Sequence, residues 1–220
     1  MNIFRGAFTA LITPMNADSS VDFEGFRKNV KHQLQQGIDG LVPLGTTAET
    51  PTLDERPGCE EDKIIEIVFE EANNKKIPII LGAGSNNTKD AVMYCERAKK
   101  AGADAALVVT PYYNKPSEEG IYQHFAAVSK VGIPIIVYNI QGRTGLNIST
   151  DLLVRIAALQ NIAGVKEASG NIAQMMEVIG QIKNKNNDFA VLSGDDALTL
   201  PLIAAGGDGV ISVASNMIPA

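Results

Sequence analysis

Ala105-Ala106-Leu107-Val108-Val109-Thr110 and, further on, Ile133-Pro134-Ile135-Ile136-Val137 are apolar at consecutive positions rather than at alternate ones. Alternation marks a strand with one wet face. An unbroken run marks a strand covered on both faces, as in a parallel sheet enclosed by helices. Six further stretches read the same way, at residues 7–13, 40–44, 77–81, 162–165, 190–192 and 209–213. The starts of the eight recur about every 29 residues, the length of one strand and one crossover helix.

The intervening segments carry helical patterns. Phe23, Phe26, Val30 and Leu34 repeat at three and four behind Asp22, a residue suited to an N-cap. Ile64, Ile67 and Val68 form the next stripe, and Ala91, Val92, Cys95 and Ala98 form another that Gly102 ends. Ser117 precedes Glu118 and Glu119, which suit the positive end of a helix dipole. Leu152, Leu153, Ile156 and Leu159 make a further apolar face. Eight strands and seven crossovers predict a (β/α)₈ TIM barrel, an α/β fold. A doubly wound sheet would have fewer strands and a glycine-rich first turn, and the turn here is Thr13-Pro14-Met15-Asn16.

No linker or shift in composition divides the chain, so residues 1–220 are read as one domain. The sequence stops at Ala220, directly after the eighth strand. On this reading the barrel is truncated and lacks its eighth helix, and Asn216-Met217-Ile218-Pro219-Ala220 begins the missing one.

With 45% hydrophobic and 20% charged residues the composition is that of a globular protein. The net charge of −6 lacks the basic footprint of a nucleic-acid binder. Lys75-Lys76 and Lys99-Lys100 read as solvated helix ends. No apolar stretch is long enough for a membrane span and no signal-peptide pattern opens the chain. Cys59 and Cys95 are too few for a disulfide framework, so a reducing cytoplasmic setting is expected.

In a barrel of this type, chemistry gathers at the C-terminal ends of the strands. Lys166 closes the sixth strand after Ile162-Ala163-Gly164-Val165. If Val165 packs against helices, alternation turns Lys166 into the barrel mouth, where desolvation lowers its pKa and frees a neutral amine for attack on a ketone. The competing reading is a lysine stem snorkelling at a strand end. Tyr138, one strand earlier, reads either as a proton carrier or as a tyrosine at the rim of the core. Thr46 and Thr47, in Gly45-Thr46-Thr47-Ala48-Glu49, offer hydroxyls and backbone N–H groups to a carboxylate, though Gly-Thr-Thr alone is more often a strand end and turn than a site. Arg143 follows Tyr138 in a loop and reads as a carboxylate fork or as a surface arginine. His32 and His124 both fall in helical patterns, which removes the usual ligands of a metal-dependent aldolase and the base of a Ser-His-Asp triad. No metal site is expected. Asp195-Asp196 is read as local hydrogen bonding, and the glycine-rich stretch at 204–209 as a helix end and tight turn on the bottom face.

Taken together, Gly45-Thr46-Thr47-Ala48-Glu49, Thr110-Pro111-Tyr112-Tyr113-Asn114-Lys115-Pro116, Tyr138-Asn139, Gly164-Val165-Lys166-Glu167-Ala168-Ser169-Gly170 and Ser193-Gly194-Asp195-Asp196 stand in an order and spacing that resembles the dihydrodipicolinate synthase / N-acetylneuraminate lyase family. The resemblance covers the whole chain. It implies a (β/α)₈ barrel in which Lys166 forms a Schiff base with pyruvate and no other cofactor takes part. It implies that Tyr138, Thr46 and Tyr113 relay protons, and that Tyr113 reaches a neighbouring subunit's site in a homodimer or homotetramer. It assigns Thr46 and Thr47 to the pyruvate carboxylate, and Gly194 and Ile211 to the same substrate pocket. Arg143, in Arg143-Thr144-Gly145, implies the branch that condenses pyruvate with L-aspartate 4-semialdehyde to 4-hydroxy-tetrahydrodipicolinate for lysine and diaminopimelate synthesis. The alternatives within reach are a lyase for N-acetylneuraminate or a 2-keto-3-deoxy sugar acid, and an inactive truncated fragment. Ala48 stands where the family has glycine, Gln141 where it commonly has proline, and Arg56-Pro57-Gly58-Cys59 interrupts the approach to the second helix. The proline's absence predicts a looser Arg143 loop.

Overall fold

A computed structural model describes residues 3–56, 58–73 and 77–219. The Lys75-Lys76 pair, Pro57 and Ala220, on which sequence expectations rested in part, lie outside the described residues. The order of elements is β1 (Gly6–Ala10), α1 (Phe23–Gln36), β2 (Gly40–Val42), α2 (Glu60–Ala72), β3 (Ile80–Gly82), α3 (Thr88–Ala101), β4 (Ala105–Val109) and α4 (Glu118–Ser129). It continues with β5 (Ile135–Asn139), α5 (Gln141–Thr144), α6 (Thr150–Ala157), β6 (Ile162–Glu167), α7 (Ile172–Gln181), β7 (Ala190–Ser193), α8 (Thr199–Ala204) and β8 (Gly209–Ser212).

All eight strands form in the stretches the apolar runs marked, and the ladder pairings are parallel. The sheet runs β2-β1-β8-β7-β6-β5-β4-β3, and a bridge from Leu41 to Ile79 joins its ends into a ring. The ring explains the unbroken apolar runs. On each strand, alternate residues enter two separate cores. Phe8, Ala10, Val42, Ile80, Leu107, Ile136, Leu192 and Ile211 fill the lumen. Leu11, Leu41, Leu81, Val108, Val137, Val165 and Val191 pack outward against the helices. Both faces are dry, so both are predominantly apolar.

Helix ends follow the expected chemistry. Asp22 accepts from Gly25 N and Ser117 from Gly120 N, while Gly102 ends α3 in the left-handed region. Several strands are shorter than their apolar runs, β1 and β2 among them. Strand β1 stops at Ala10, and Ile12 N turns to Asn216 Oδ1 at 3.2 Å. Strand β2 stops at Val42 because Leu44 turns into the left-handed region, φ 55°. The interrupted approach to α2 ends at Cys59, whose thiol donates to Asp54 O at 2.7 Å. After β8 the chain makes one 3₁₀ turn, Ala214–Asn216, where helix was expected to start at Asn216.

The glycine-rich stretch before β8 lies on the bottom face, as expected, and carries a buried anchor. Asp208 accepts from Lys183 Nζ at 2.6 Å and from Val191 N at 2.9 Å, and Arg5 Nε reaches it at 3.0 Å. Its carbonyl oxygen accepts from Gly6 N at 3.0 Å. Strands β1, β7 and β8 thus meet at one residue. Removing one partner of a buried ion pair leaves an uncompensated charge, so Asp208→Ala is expected to cost about 3 kcal/mol of unfolding free energy. Urea unfolding at pH 7 measures this, and a midpoint unchanged from the parent would refute it.

Candidate active site

Strand β6 sets the centre of the site. Val165 faces the helices, so Lys166 faces the lumen. Parallel pairing of β5 with β6 puts Tyr138 directly beside Lys166. The lysine Nζ lies 4.3 Å from the centroid of the tyrosine ring. Room for the lysine stem comes from Gly194: a Cβ there would stand 2.9 Å from Lys166 Cε and 2.8 Å from Ala168 Cβ. Lys166 is only 5% exposed. Burial pulls its pKa down to about 8; Asp196 opposes that shift and Arg143 reinforces it. A lysine of this kind is partly neutral near pH 8, where a solvated one is almost wholly charged.

Tyr138 is also buried, and burial pushes its pKa up to about 12, with Arg143 acting in the other direction. Its hydroxyl therefore stays protonated at neutral pH and can donate. Above it opens a cavity of about 530 Å³, a size that suits a small metabolite. Thr46, Tyr113, Tyr138 and Arg143 all contribute to its wall. Lys166 reaches this wall through its contact with the Tyr138 ring, and Ile211 belongs to the lumen core.

Arg143 sits on α5, a single helical turn that Gly145 ends in the left-handed region. Gln141 occupies its first position, where a proline also fits because that N–H has no partner within the helix. The turn is well tied without the proline. Arg143 N and Thr144 N both donate to Ile140 O, and the Thr144 hydroxyl bonds Ile140 O and Leu146 O. The expected loosening is not what the hydrogen bonding shows.

Thr46 opens a 3₁₀ turn, Thr46–Ala48. The left-handed positions flanking it are Leu44 and Glu49, both at φ 55°, so Ala48 carries no strain in place of glycine. A left-handed leucine is a real outlier, and such strain gathers at functional sites. Here it drives the Leu44 carbonyl against β3, and a Cβ on Gly82 would sit 1.8 Å from Leu44 O. Tyr113, φ 72°, stands 90% exposed at the outer rim of the cavity.

Thr47 is half-buried beside Thr46 and, like Lys166, Gly194 and Ile211, is not among the described residues that wall the cavity. One expectation needs correction. Asp195 does bond locally, to Ala197 N, but Asp196 reaches across to Val213 N and Ala214 N at 3.1 Å each. It ties the β7 end to the β8 end. Three features had no sequence signal: the strained Leu44, the partly buried Arg97–Glu61 ion pair in the cavity wall, and a polar network behind Tyr138 that joins Asn139 to Glu167. Among the described residues, no three His, Cys, Asp or Glu side chains converge as a metal site.

A closed (β/α)₈ ring with a desolvated lysine and a protonated tyrosine at its mouth has the equipment of carbonyl chemistry by an amine nucleophile. The chain belongs to the dihydrodipicolinate synthetase family, whose model matches residues 3–220. It is similar to 4-hydroxy-tetrahydrodipicolinate synthase of Protochlamydia amoebophila, with 52% identity over 98% of this chain and 71% of that protein. The synthase of Archaeoglobus fulgidus is 49% identical over 99% of this chain and 72% of its own length. Among solved structures, dihydrodipicolinate synthase of Thermotoga maritima superposes with a TM-score of 0.93 at 43% identity, covering 99% of this chain and 73% of that one. A structure described as the first monomeric dihydrodipicolinate synthase variant gives the same score and identity, with 71% of its length covered.

Proposed function

We propose that the chain is a lyase that condenses pyruvate with L-aspartate 4-semialdehyde to 4-hydroxy-tetrahydrodipicolinate through a Schiff base on Lys166. The observation that carries this is the near-neutral amine of Lys166, 4.3 Å from the Tyr138 ring at the barrel mouth. The relatives' names supply the product.

The neutral amine adds to C2 of pyruvate, and the carbinolamine loses water to give an iminium. Loss of a C3 proton yields an enamine, and its C3 attacks the aldehyde carbon while the aldehyde oxygen takes up a proton. The semialdehyde's own amine then adds to C2, closes the ring and releases Lys166. The iminium is itself the electron sink, so the reading needs no metal or further cofactor. Tyr138, Thr46 and Tyr113 would carry the protons, and Thr46 and Thr47 would hold the pyruvate carboxylate. Gly194 and Ile211 would shape the pocket around the lysine. Arg143 would fork onto the semialdehyde carboxylate. Removal of that cation is expected to raise KM for the semialdehyde about 10- to 100-fold, the worth of a charge-assisted bond. Steady-state kinetics of Arg143→Ala tests the assignment, and an unchanged KM would move the substrate towards a sugar acid.

On the same reading the 220 residues are one barrel domain, as the unbroken ring and its two continuous cores support. The exposure of Tyr113 supports a homodimer or homotetramer in which this residue serves a second copy. A site in the cytoplasm, in lysine and diaminopimelate synthesis, fits two unpaired cysteines and the absence, among the described residues, of a helix long and apolar enough to cross a membrane.

A further inference from the structure

Directly behind the barrel mouth, on the helix side of β5, Asn139 is fully buried with every polar atom engaged. Its Nδ2 donates to Asn147 Oδ1 at 2.9 Å and to both Glu167 carboxylate oxygens at 3.2 Å. Its Oδ1 accepts from Ile148 N at 3.0 Å. Gln174, from α7, locks the other side: it accepts from Asn147 Nδ2 at 2.8 Å and donates to Ile148 O at 2.9 Å. Glu167 accepts in addition from Ser169 N at 2.8 Å.

The sequence positions give this network its meaning. Asn139 stands at the start of the segment that carries Arg143, and Asn147 and Ile148 stand at its end. One asparagine side chain therefore closes the base of the arginine loop. The same side chain holds Glu167, the residue after Lys166, and the rung Asn139–Glu167 follows the rung Tyr138–Lys166 in the parallel ladder. A fully satisfied buried network admits few alternative geometries. Here it couples the position of the loop to the strand that presents the amine.

We propose that Asn139 and Asn147 are positioning residues that clamp the Arg143 loop and so set its reach to the aldehyde substrate. The inference rests on the reading of Arg143 as the semialdehyde carboxylate binder. Asn147→Ala removes the side-chain tie between Asn147 and Asn139 but leaves the Ile148 N bond and the Asn139–Glu167 contact in place, and because Asn147 is half-buried the change is mild. Asn139→Ala removes all three and is the harsher companion.

The test is steady-state kinetics of the full chain with Asn147→Ala, Asn139→Ala, Arg143→Ala and the double variant Asn147→Ala/Arg143→Ala. Asn147→Ala is expected to raise KM for the semialdehyde roughly ten-fold, since small displacements of a binding group carry such penalties. KM for pyruvate and the rate of borohydride trapping stay at the parent's values. In the Arg143→Ala background, Asn147→Ala is expected to add nothing, because the group it positions is gone. Equal losses for both substrates, additive effects in the double variant, or an unchanged semialdehyde KM would each overturn the clamp. Arg143→Ala separates the two levels. If it raises KM and Asn147→Ala does not, the clamp alone fails; if it has no effect, the reading of Arg143 fails and the clamp with it.

Discussion

Lys166→Met is expected to abolish condensation, lowering kcat/KM by at least about ten-thousand-fold, while making the protein more stable at neutral pH. The two effects share one cause. Lys166 is buried with its pKa lowered from 10.5 to about 8, so at pH 7 the folded protein holds a charge that the unfolded chain would solvate. That penalty is complete below pH 8. Between pH 8 and about 10.5 the folded state sheds its proton before the unfolded state does, so parent stability rises with pH across that window. Methionine fills a similar volume without the charge. At pH 7 it is expected to add roughly 1–3 kcal/mol, less than the full shift implies because the contact of the ammonium with the Tyr138 ring is lost. The gain should shrink as the pH is raised towards 10. Urea unfolding at pH 7 and pH 10, beside the condensation assay, reads both effects. A variant that is no more stable than the parent at pH 7 would show that the lysine is not charged at a cost there.

Tyr138→Phe is expected to lower kcat about 10²- to 10³-fold with little change in KM for pyruvate. The substitution removes only the hydroxyl. The ring that faces Lys166 Nζ remains, so the lysine keeps its surroundings and the adduct still forms, more slowly. The loss should be seen at every pH up to about 12, because burial keeps the tyrosine protonated throughout. A kcat within about three-fold of the parent would assign the proton transfers elsewhere, with Thr46 the next candidate.

The parts of the fold that were legible in the sequence share a physical origin. A strand dry on both faces must be apolar at consecutive positions, so residues 105–110 and 133–137 announce a parallel sheet without any knowledge of their partners. The direction of Lys166 followed from the same geometry, since Val165 had to face the helices. Helix ends were legible where one side chain does the capping, as at Asp22 and Ser117.

What escaped the sequence depends on residues far apart in the chain. Asp196 was read as local because its partners Val213 and Ala214 become neighbours only when the ring closes. Asn139 looked like an ordinary strand end; its bonds to Asn147 and Glu167 span 8 and 28 residues. Leu44 carries no mark of its left-handed conformation, which sets its carbonyl against Gly82, a residue 38 positions further along the chain.

The central claim is that Lys166 is a nucleophile, and mass spectrometry tests it most directly. The chain is incubated with pyruvate, reduced with borohydride and digested, with Lys166→Met run in parallel. A pyruvate-sized mass increase on the peptide holding Lys166, absent from the variant, is the predicted result. No increase on a chain that circular dichroism shows to be folded, or an increase that survives the substitution, would contradict it.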